Sequence, residues 1–145
     1  MKSNLINLFS ILNGEYNYYQ GFHDISVYFM LIFNKNENLI FLEFIQRLSE
    51  FYFKDYITEQ PLKNLEFKVI LQIFVHLVEL KDKSLLDKVK KEIKDFYPYF
   101  TLSWIISWFT QSIKNLPKMY RVLDYLICSH PLAVYHMSAE VFIIF

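Results

Sequence analysis

The chain has 145 residues, of which 54% are apolar and 19% are aromatic, and its 15 lysines and arginines are balanced by 15 aspartates and glutamates. This length is enough for one domain with a hydrophobic core. The zero net charge leaves no broad basic surface for a phosphate backbone, which argues against DNA or RNA as a partner. With two glycines, the sequence is too poor in tight turns for a β-sandwich, and it has no glycine-rich loop for nucleotide phosphates.

Residues that form disulfides or bind metals are few and scattered. The single cysteine, Cys128, excludes an internal disulfide and a cysteine-based zinc cluster, and it favours a reducing compartment. The amino terminus lacks the basic-then-apolar order of a secretory signal. No metal-ligand spacing is found among the four histidines, which are His23, His76, His130 and His136. We therefore expect a cytoplasmic protein with no metal site and no cofactor of its own.

The first third of the chain has apolar residues at helical spacing. Leucines and isoleucines within residues 5–12 predict a short first helix, which Asn13-Gly14 ends. The continuous apolar run over residues 25–33 fits a buried strand or a buried helix, and we predict a helix because no partner strand is evident. Another helix is predicted from the spacing of the apolar residues between Phe41 and Tyr52.

Two further apolar stripes lie in the middle of the chain. Pro61 is expected in the first turn of a helix whose stripe runs over residues 62–77 and includes Val69. The next stripe, from Leu85 to Ile93, lies in a lysine-rich segment. We interpret that segment as a solvated helix face, the alternative being a face toward an acidic membrane surface.

Residues 96–113 carry no charge and are long enough to suggest a transmembrane span. Seven polar or proline residues interrupt the run, so we predict a buried helix instead, with Trp104 and Trp108 on one face of it in the core. Pro117 and Pro131 are expected in the first turns of the last two helices. Without linkers or repeats, the whole chain is predicted to be a single all-α domain of about seven or eight helices.

The most informative segment, residues 18–25, reads Tyr-Tyr-Gln-Gly-Phe-His-Asp-Ile. The Gln20 amide can accept a hydrogen bond from water while donating one to a phosphate oxygen, as the catalytic glutamine of a GTPase does. Tyr18 is expected to pack beneath the loop, Gly21 to allow close approach of a partner, and Asp24 to cap the next helix. Chemistry alone favours the ordinary interpretation that Gln20 is a polar residue in a turn.

These residues resemble the Tyr-x-Gln-Gly signature of the TBC-domain family, the GTPase-activating proteins of Rab-type GTPases. Residues 100–109 resemble the family's later tryptophan-containing helix, and residues 121–124 and 128–131 resemble the segment after it. Tyr19 and His23 look like the branch that a C-terminal tail anchors to the endoplasmic reticulum. The resemblance covers the chain from about residue 5 to its end.

The resemblance implies activation of GTP hydrolysis in trans, in the regulation of vesicle traffic. Gln20 would be the glutamine finger that positions the hydrolytic water, with Tyr18, Gly21 and Asp24 in supporting or partner-binding positions. The implied partner is a Rab-family GTPase that carries GTP and Mg²⁺. The implied location is the cytoplasm, at the cytosolic face of the endoplasmic reticulum or Golgi, with membrane association through a segment outside this chain.

One part of the family's catalytic apparatus has no counterpart in the sequence. The family's arginine finger lies upstream of the glutamine in an Ile-x-x-Asp-x-x-Arg motif, which is absent here. Arg47 and Arg121 are downstream in another context, and Arg121 is expected to pair with Asp124 or a nearby carboxylate. Residues 1–145 are therefore expected to be most of a TBC domain without its arginine-finger segment and C-terminal part.

The missing arginine leaves the chain's status as a catalyst open. One alternative is a non-catalytic module that binds a GTPase or scaffolds a membrane complex. The other is a helical core fragment that aggregates when expressed alone, because its missing ends leave apolar surface bare.

Overall fold

The computed structural model describes residues 19–33, 38–57, 64–94 and 96–144. In these ranges the chain forms helices and no strands, which confirms the all-α prediction. The helices are α1 (Phe22–Ile32), α2 (Asn38–Tyr52), α3 (Lys54–Ile57), α4 (Asn64–Lys81), α5 (Lys83–Glu92), α6 (Phe100–Ile106), α7 (Leu116–Ile127) and α8 (Ala133–Ile144). The predicted first helix and the predicted helix start at Pro61 lie outside the described residues.

The contacts divide the chain into two compact units, residues 1–63 and residues 64–145. In the first unit, α1 packs against α2 through aromatic rings. The ring centroids of Phe29 and Phe44 are 5.0 Å apart, and those of Phe33 and Phe41 are 5.7 Å apart. The apolar run at residues 25–33 thus forms a helix, as predicted, with one side buried against α2.

The second unit is built around α4, which contacts α5, α6 and α8. One buried apolar cluster of this unit consists of Phe74, Val78, Leu86 and Ala139. The predicted stripe on α4 was wrong in one position, because Val69 is 49% exposed. The side chains buried on this helix are Ile70, Leu71, Phe74 and Val78. Ile70 and Phe74 belong to the predicted stripe, and Leu71 and Val78 lie next to it, so the buried face overlaps the predicted one.

The uncharged segment at residues 96–113 does not form one long helix, which corrects the prediction. Helix α6 ends at Ile106, and the next residues turn back on themselves. The N–H of Phe109 donates to the carbonyl of Trp104 (2.9 Å), and the N–H of Trp108 donates to that of Ile105 (3.4 Å). This pair of hydrogen bonds is the Schellman arrangement that commonly ends a helix.

The two tryptophans therefore do not share a helix face. Trp108 lies beyond the end of α6, with φ 50°, and the ring of Trp104 stacks on Phe109 with centroids 5.7 Å apart. Both Trp108 and Phe109 are 3% exposed, so this turn is part of the core of the second unit. Within the described ranges, no helix combines the length and apolar character needed to cross a bilayer.

The ends of the later helices follow the sequence in part. Pro117 lies in the first turn of α7, as predicted, and the side chain of Asn115 caps that helix by accepting from the N–H of Lys118 (3.0 Å). Pro131 instead precedes α8, which begins at Ala133. The stripe predicted to end at Ile93 is shorter than expected, since α5 ends at Glu92 and Ile93 is 53% exposed.

Candidate functional site

Gln20 lies at the tip of a four-residue turn that leads into α1. The N–H of Phe22 donates to the carbonyl of Tyr19 (3.3 Å) and closes this turn, which we call the glutamine turn (residues 19–22). Tyr19, Gly21 and Phe22 are buried, whereas the side chain of Gln20 is exposed to solvent. The turn therefore holds the backbone of Gln20 between buried neighbours and presents its amide outward.

Gly21 gives the glutamine turn its geometry. Its φ of 110° and ψ of −27° lie in the left-handed region, which a residue with a Cβ adopts at a cost of about 1–2 kcal/mol. A positive φ at the third position is also what a type II turn requires. Gly21 is the N-cap residue of α1, and its carbonyl accepts from the N–H groups of Asp24 (3.1 Å) and Ile25 (3.2 Å). The sequence predicted close approach of a partner here; the structure adds a local reason for the glycine.

Asp24 does not cap the helix, which corrects the prediction. Helix α1 already begins at Phe22, so Asp24 is its third residue, and no side chain caps the helix. The carboxylate lies in the first turn, where the partial positive charge of the helix terminus favours it. Its Oδ1 is 3.2 Å from Nε2 of His23, and both side chains are partly exposed. His23 was not among the predicted site residues, although it is next to Asp24 on the same turn.

Tyr18, which was expected to pack beneath the loop, lies outside the described residues. In the described part of the chain, the residue that packs beneath the glutamine turn is Tyr19. Tyr19 is 1% exposed. Its ring centroid is 5.7 Å from that of Phe22, 5.9 Å from that of Phe53 and 5.6 Å from that of Tyr56. We call these four residues the aromatic seat. Their contacts join the glutamine turn to the end of α2 and to α3.

Phe53 and Tyr56 were not predicted from the sequence as part of the site. The only local signal is the dense aromatic run at residues 51–56, which reads Phe-Tyr-Phe-Lys-Asp-Tyr. Spacing along the chain does not reveal that two of these rings pack on a turn far upstream. Such contacts between distant segments depend on how α1 and α2 pack.

The two arginines of the sequence, Arg47 and Arg121, lie on helices and not in the glutamine turn. Arg47 is exposed on α2 and pairs with Glu43, one helical turn away, at 2.9 Å. Arg121 is exposed on α7, and no described acidic side chain pairs with it. The expected pairing of Arg121 with Asp124 was therefore wrong, although both residues lie on one helix. Among the described residues, no group of three histidine, cysteine or acidic side chains is arranged to hold a metal ion.

The site thus offers one type of chemistry. An exposed primary amide can donate and accept hydrogen bonds at once, and a rigid backbone limits the entropy lost when a partner fixes it. Such a group can orient a water molecule or a phosphate oxygen that a partner brings. It cannot by itself supply the positive charge that stabilises a transferring phosphoryl group.

This chain is similar to a known domain family and to several known proteins. Residues 3–145 match the model of the Rab-GTPase-TBC domain. The chain is 31% identical over 146 residues to the GTPase-activating protein gyp10 of Schizosaccharomyces pombe, with 97% of this chain and 36% of that protein aligned. It is 27% identical over 135 residues to TBC1 domain family member 20 of Bos taurus and of Homo sapiens, with 89% of this chain and 30% of each relative aligned.

The chain spans about a third of the length of these curated relatives. No solved structure matches it significantly. The family match extends over nearly all of the sequence, and the helices of the structure agree with it. The chain belongs to the Rab-GTPase-TBC domain family.

Proposed function

We propose that this chain is a GTPase-activating domain that inserts Gln20 into the nucleotide site of a Rab-type small GTPase. The observation that carries the proposal is the exposure of Gln20 between three buried neighbours in the glutamine turn. A polar side chain at the tip of a backbone fixed on both sides is what a group acting on another protein's substrate requires. The activity would regulate vesicle traffic.

The comparisons support this proposal at the level of the family. The chain belongs to the Rab-GTPase-TBC domain family, and one relative is named a GTPase-activating protein. The specific role of Gln20 rests on its chemistry and its place in the turn. Its amide would accept from the hydrolytic water and donate to a phosphate oxygen, and so would hold the water in line with the phosphorus. The partner would bring GTP and Mg²⁺.

The surroundings of Gln20 have supporting roles in this proposal. Gly21, which is buried, adopts the positive φ that lets the turn present Gln20 outward. Asp24 and His23 form a polar pair on the first turn of α1, next to the presented amide, and are suited to contact the GTPase surface. Tyr18 precedes the turn in the sequence and is proposed to pack against it.

A second candidate is a module that binds a GTPase or scaffolds a membrane complex without catalysis. The observation that favours it is that the two arginines, Arg47 and Arg121, lie on α2 and α7 and not in the glutamine turn. A catalytic arginine contributes roughly a thousandfold or more to GTP hydrolysis. A domain with the glutamine alone would bind the same partner and accelerate it far less.

Single-turnover hydrolysis by early-secretory Rab GTPases loaded with GTP tests the two candidates. We expect the full-length protein to accelerate hydrolysis by at least one of them, and Gln20→Ala to lower that acceleration about a hundredfold. Gln46→Ala is the matched control, because Gln46 is an exposed glutamine of the same unit, on α2. Equal acceleration by the protein and its Gln20→Ala variant would remove the catalytic role. If the protein and its Gln20→Ala variant both bind the GTPase and neither accelerates hydrolysis, the second candidate is supported.

We further propose that the full-length protein acts at the cytosolic face of the endoplasmic reticulum or Golgi. The support is the resemblance of Tyr19 and His23 to the membrane-anchored branch of the family. Membrane association would come from a segment outside this chain. Imaging of the tagged full-length protein against markers of both organelles tests this proposal, and a uniform cytoplasmic signal would contradict it.

A further inference from the structure

The break between α2 and α3 lies against the glutamine turn. Helix α2 ends at Tyr52 and α3 begins at Lys54, so Phe53 is the single residue between them. Its N–H donates to the carbonyl of Ser49 (3.0 Å), and its own carbonyl accepts from the N–H of Tyr56 (2.9 Å). Phe53 is fully buried, with 0% of its surface exposed. The backbone on both sides of this ring is therefore tied into helical hydrogen bonds.

Phe53 contacts the residues on both sides of Gln20. Its ring centroid is 5.9 Å from that of Tyr19, which precedes Gln20, and 6.1 Å from that of Phe22, which follows Gly21. The contact with Phe22 is edge-to-face, with the ring planes at 75°. Aromatic pairs in such arrangements contribute beyond the area that they bury, and they fix ring orientation. One side chain thus holds both ends of the turn that carries Gln20.

We infer that Phe53 is a positioning residue for Gln20, which it serves by fixing Tyr19 and Phe22. This inference rests on the proposed function of Gln20. Phe53 touches neither substrate nor nucleotide; it acts through the backbone of the glutamine turn. Since a displacement of about 1 Å can cost roughly a hundredfold in rate, loosening the aromatic seat would lower catalysis even though the Gln20 side chain itself is unchanged.

Phe29 provides a matched control. It is also a buried phenylalanine of the first unit, 3% exposed, and its ring packs on Phe44 of α2 with centroids 5.0 Å apart. Phe29 lies near the far end of α1 from the glutamine turn. Phe53→Leu and Phe29→Leu remove similar aromatic packing. A loss of GTPase activation in Phe53→Leu but not in Phe29→Leu is therefore specific to the aromatic seat. Phe53→Met, whose unbranched and flexible side chain adapts to irregular gaps in a core, replaces Phe53→Leu if the latter fails to fold.

The test is a double-mutant cycle with Gln20→Ala in the single-turnover assay, using the full-length protein. We expect Phe53→Leu to lower the maximal hydrolysis rate about tenfold to a hundredfold with little change in half-saturating GTPase concentration. In the Gln20→Ala background, Phe53→Leu should cause no further loss, because its effect passes through Gln20. Phe29→Leu should leave the rate within about twofold in both backgrounds.

The outcomes distinguish this inference from the proposed function. A Gln20→Ala variant with an unchanged rate overturns both. A loss in Gln20→Ala together with an equal Phe53→Leu loss in both backgrounds overturns the positioning role alone.

A readout without a GTPase comes from amide hydrogen exchange. The N–H of Phe22 closes the glutamine turn, so Phe53→Leu should speed its exchange about tenfold more than Phe29→Leu does. Equal exchange at Phe22 in the two variants would contradict the inference.

Discussion

Two turns at helix ends contain residues with positive φ, and they differ in the residue type that adopts it. In the glutamine turn the residue is Gly21, with φ 110°. In the turn after α6 the residues are Trp108 and Phe109, with φ 50° and 64°. Glycine adopts this region without strain, whereas each bulky residue does so at a cost of about 1–2 kcal/mol. The first turn exposes a polar side chain, and the second buries two aromatic ones.

The difference separates a turn suited to function from one held by packing. Gly21 adopts its positive φ without strain, and the side chain of the adjacent Gln20 is exposed. Trp108 and Phe109 remain left-handed because burial of both rings, and the stacking of Phe109 on Trp104, offset the strain. Substitutions at Trp108 should therefore act mainly on stability, whereas substitutions at Gly21 should affect both stability and activation of the GTPase.

The largest stability effect is expected at Trp108. Trp108→Ala should lower the free energy of unfolding by about 4 kcal/mol, since a buried indole is lost. Trp108→Gly should cost about 1 kcal/mol less, because glycine relieves the left-handed backbone. Urea denaturation followed by circular dichroism measures both values. A glycine variant less stable than the alanine variant, as in a helix interior, would contradict the account of this turn.

The next effect concerns Gly21. Gly21→Ala should lower the free energy of unfolding by about 1–2 kcal/mol, because a Cβ opposes φ 110°. It should also reduce activation of the GTPase by distorting the turn that carries Gln20. Gly21→Asn is the control, since asparagine tolerates the left-handed region better and should retain more of both properties. Equal stability of the wild type and the alanine variant would show that the turn does not require glycine.

A smaller effect is expected at Asp24. Asp24→Asn removes a negative charge from the first turn of α1 and should cost about 0.5 kcal/mol at low ionic strength. Asp124→Asn is the matched control, because Asp124 lies in the last turns of α7, where a negative charge is not favoured. Thermal unfolding of both variants at low and high salt measures the difference. A loss in Asp24→Asn that high salt does not reduce would contradict an electrostatic origin.

The contrast between the two turns also explains what the sequence could reveal. Gly21 beside Gln20 is a local signal, so the turn and its exposed amide could be predicted from a few adjacent residues. The turn at Trp108 has no such signal, because glycine usually ends a helix in this way and here tryptophan does. The sequence therefore suggested one helix through residues 96–113, whereas the structure ends α6 at Ile106.

The same division holds within the candidate site. Apolar spacing predicted the helix type of α2, the lack of an evident partner strand predicted that of α1, and Pro117 predicted the start of α7. The aromatic seat could not be predicted from the sequence, because the contacts of Tyr19 with Phe53 and Tyr56 join segments far apart in the chain. The position of Asp24 inside α1 depended on where the helix begins, and helix ends are the least certain feature of a sequence pattern.

The central claim is that Gln20 contributes more to the transition state of GTP hydrolysis than to the ground state. The most direct measurement compares affinity for a Rab GTPase loaded with GDP and aluminium fluoride, which mimics the transition state, with affinity for the same GTPase loaded with a non-hydrolysable GTP analogue. The wild-type protein should bind the mimic at least about tenfold more tightly, and Gln20→Ala should lose that preference while keeping its affinity for the analogue. An unchanged preference in Gln20→Ala would contradict the account.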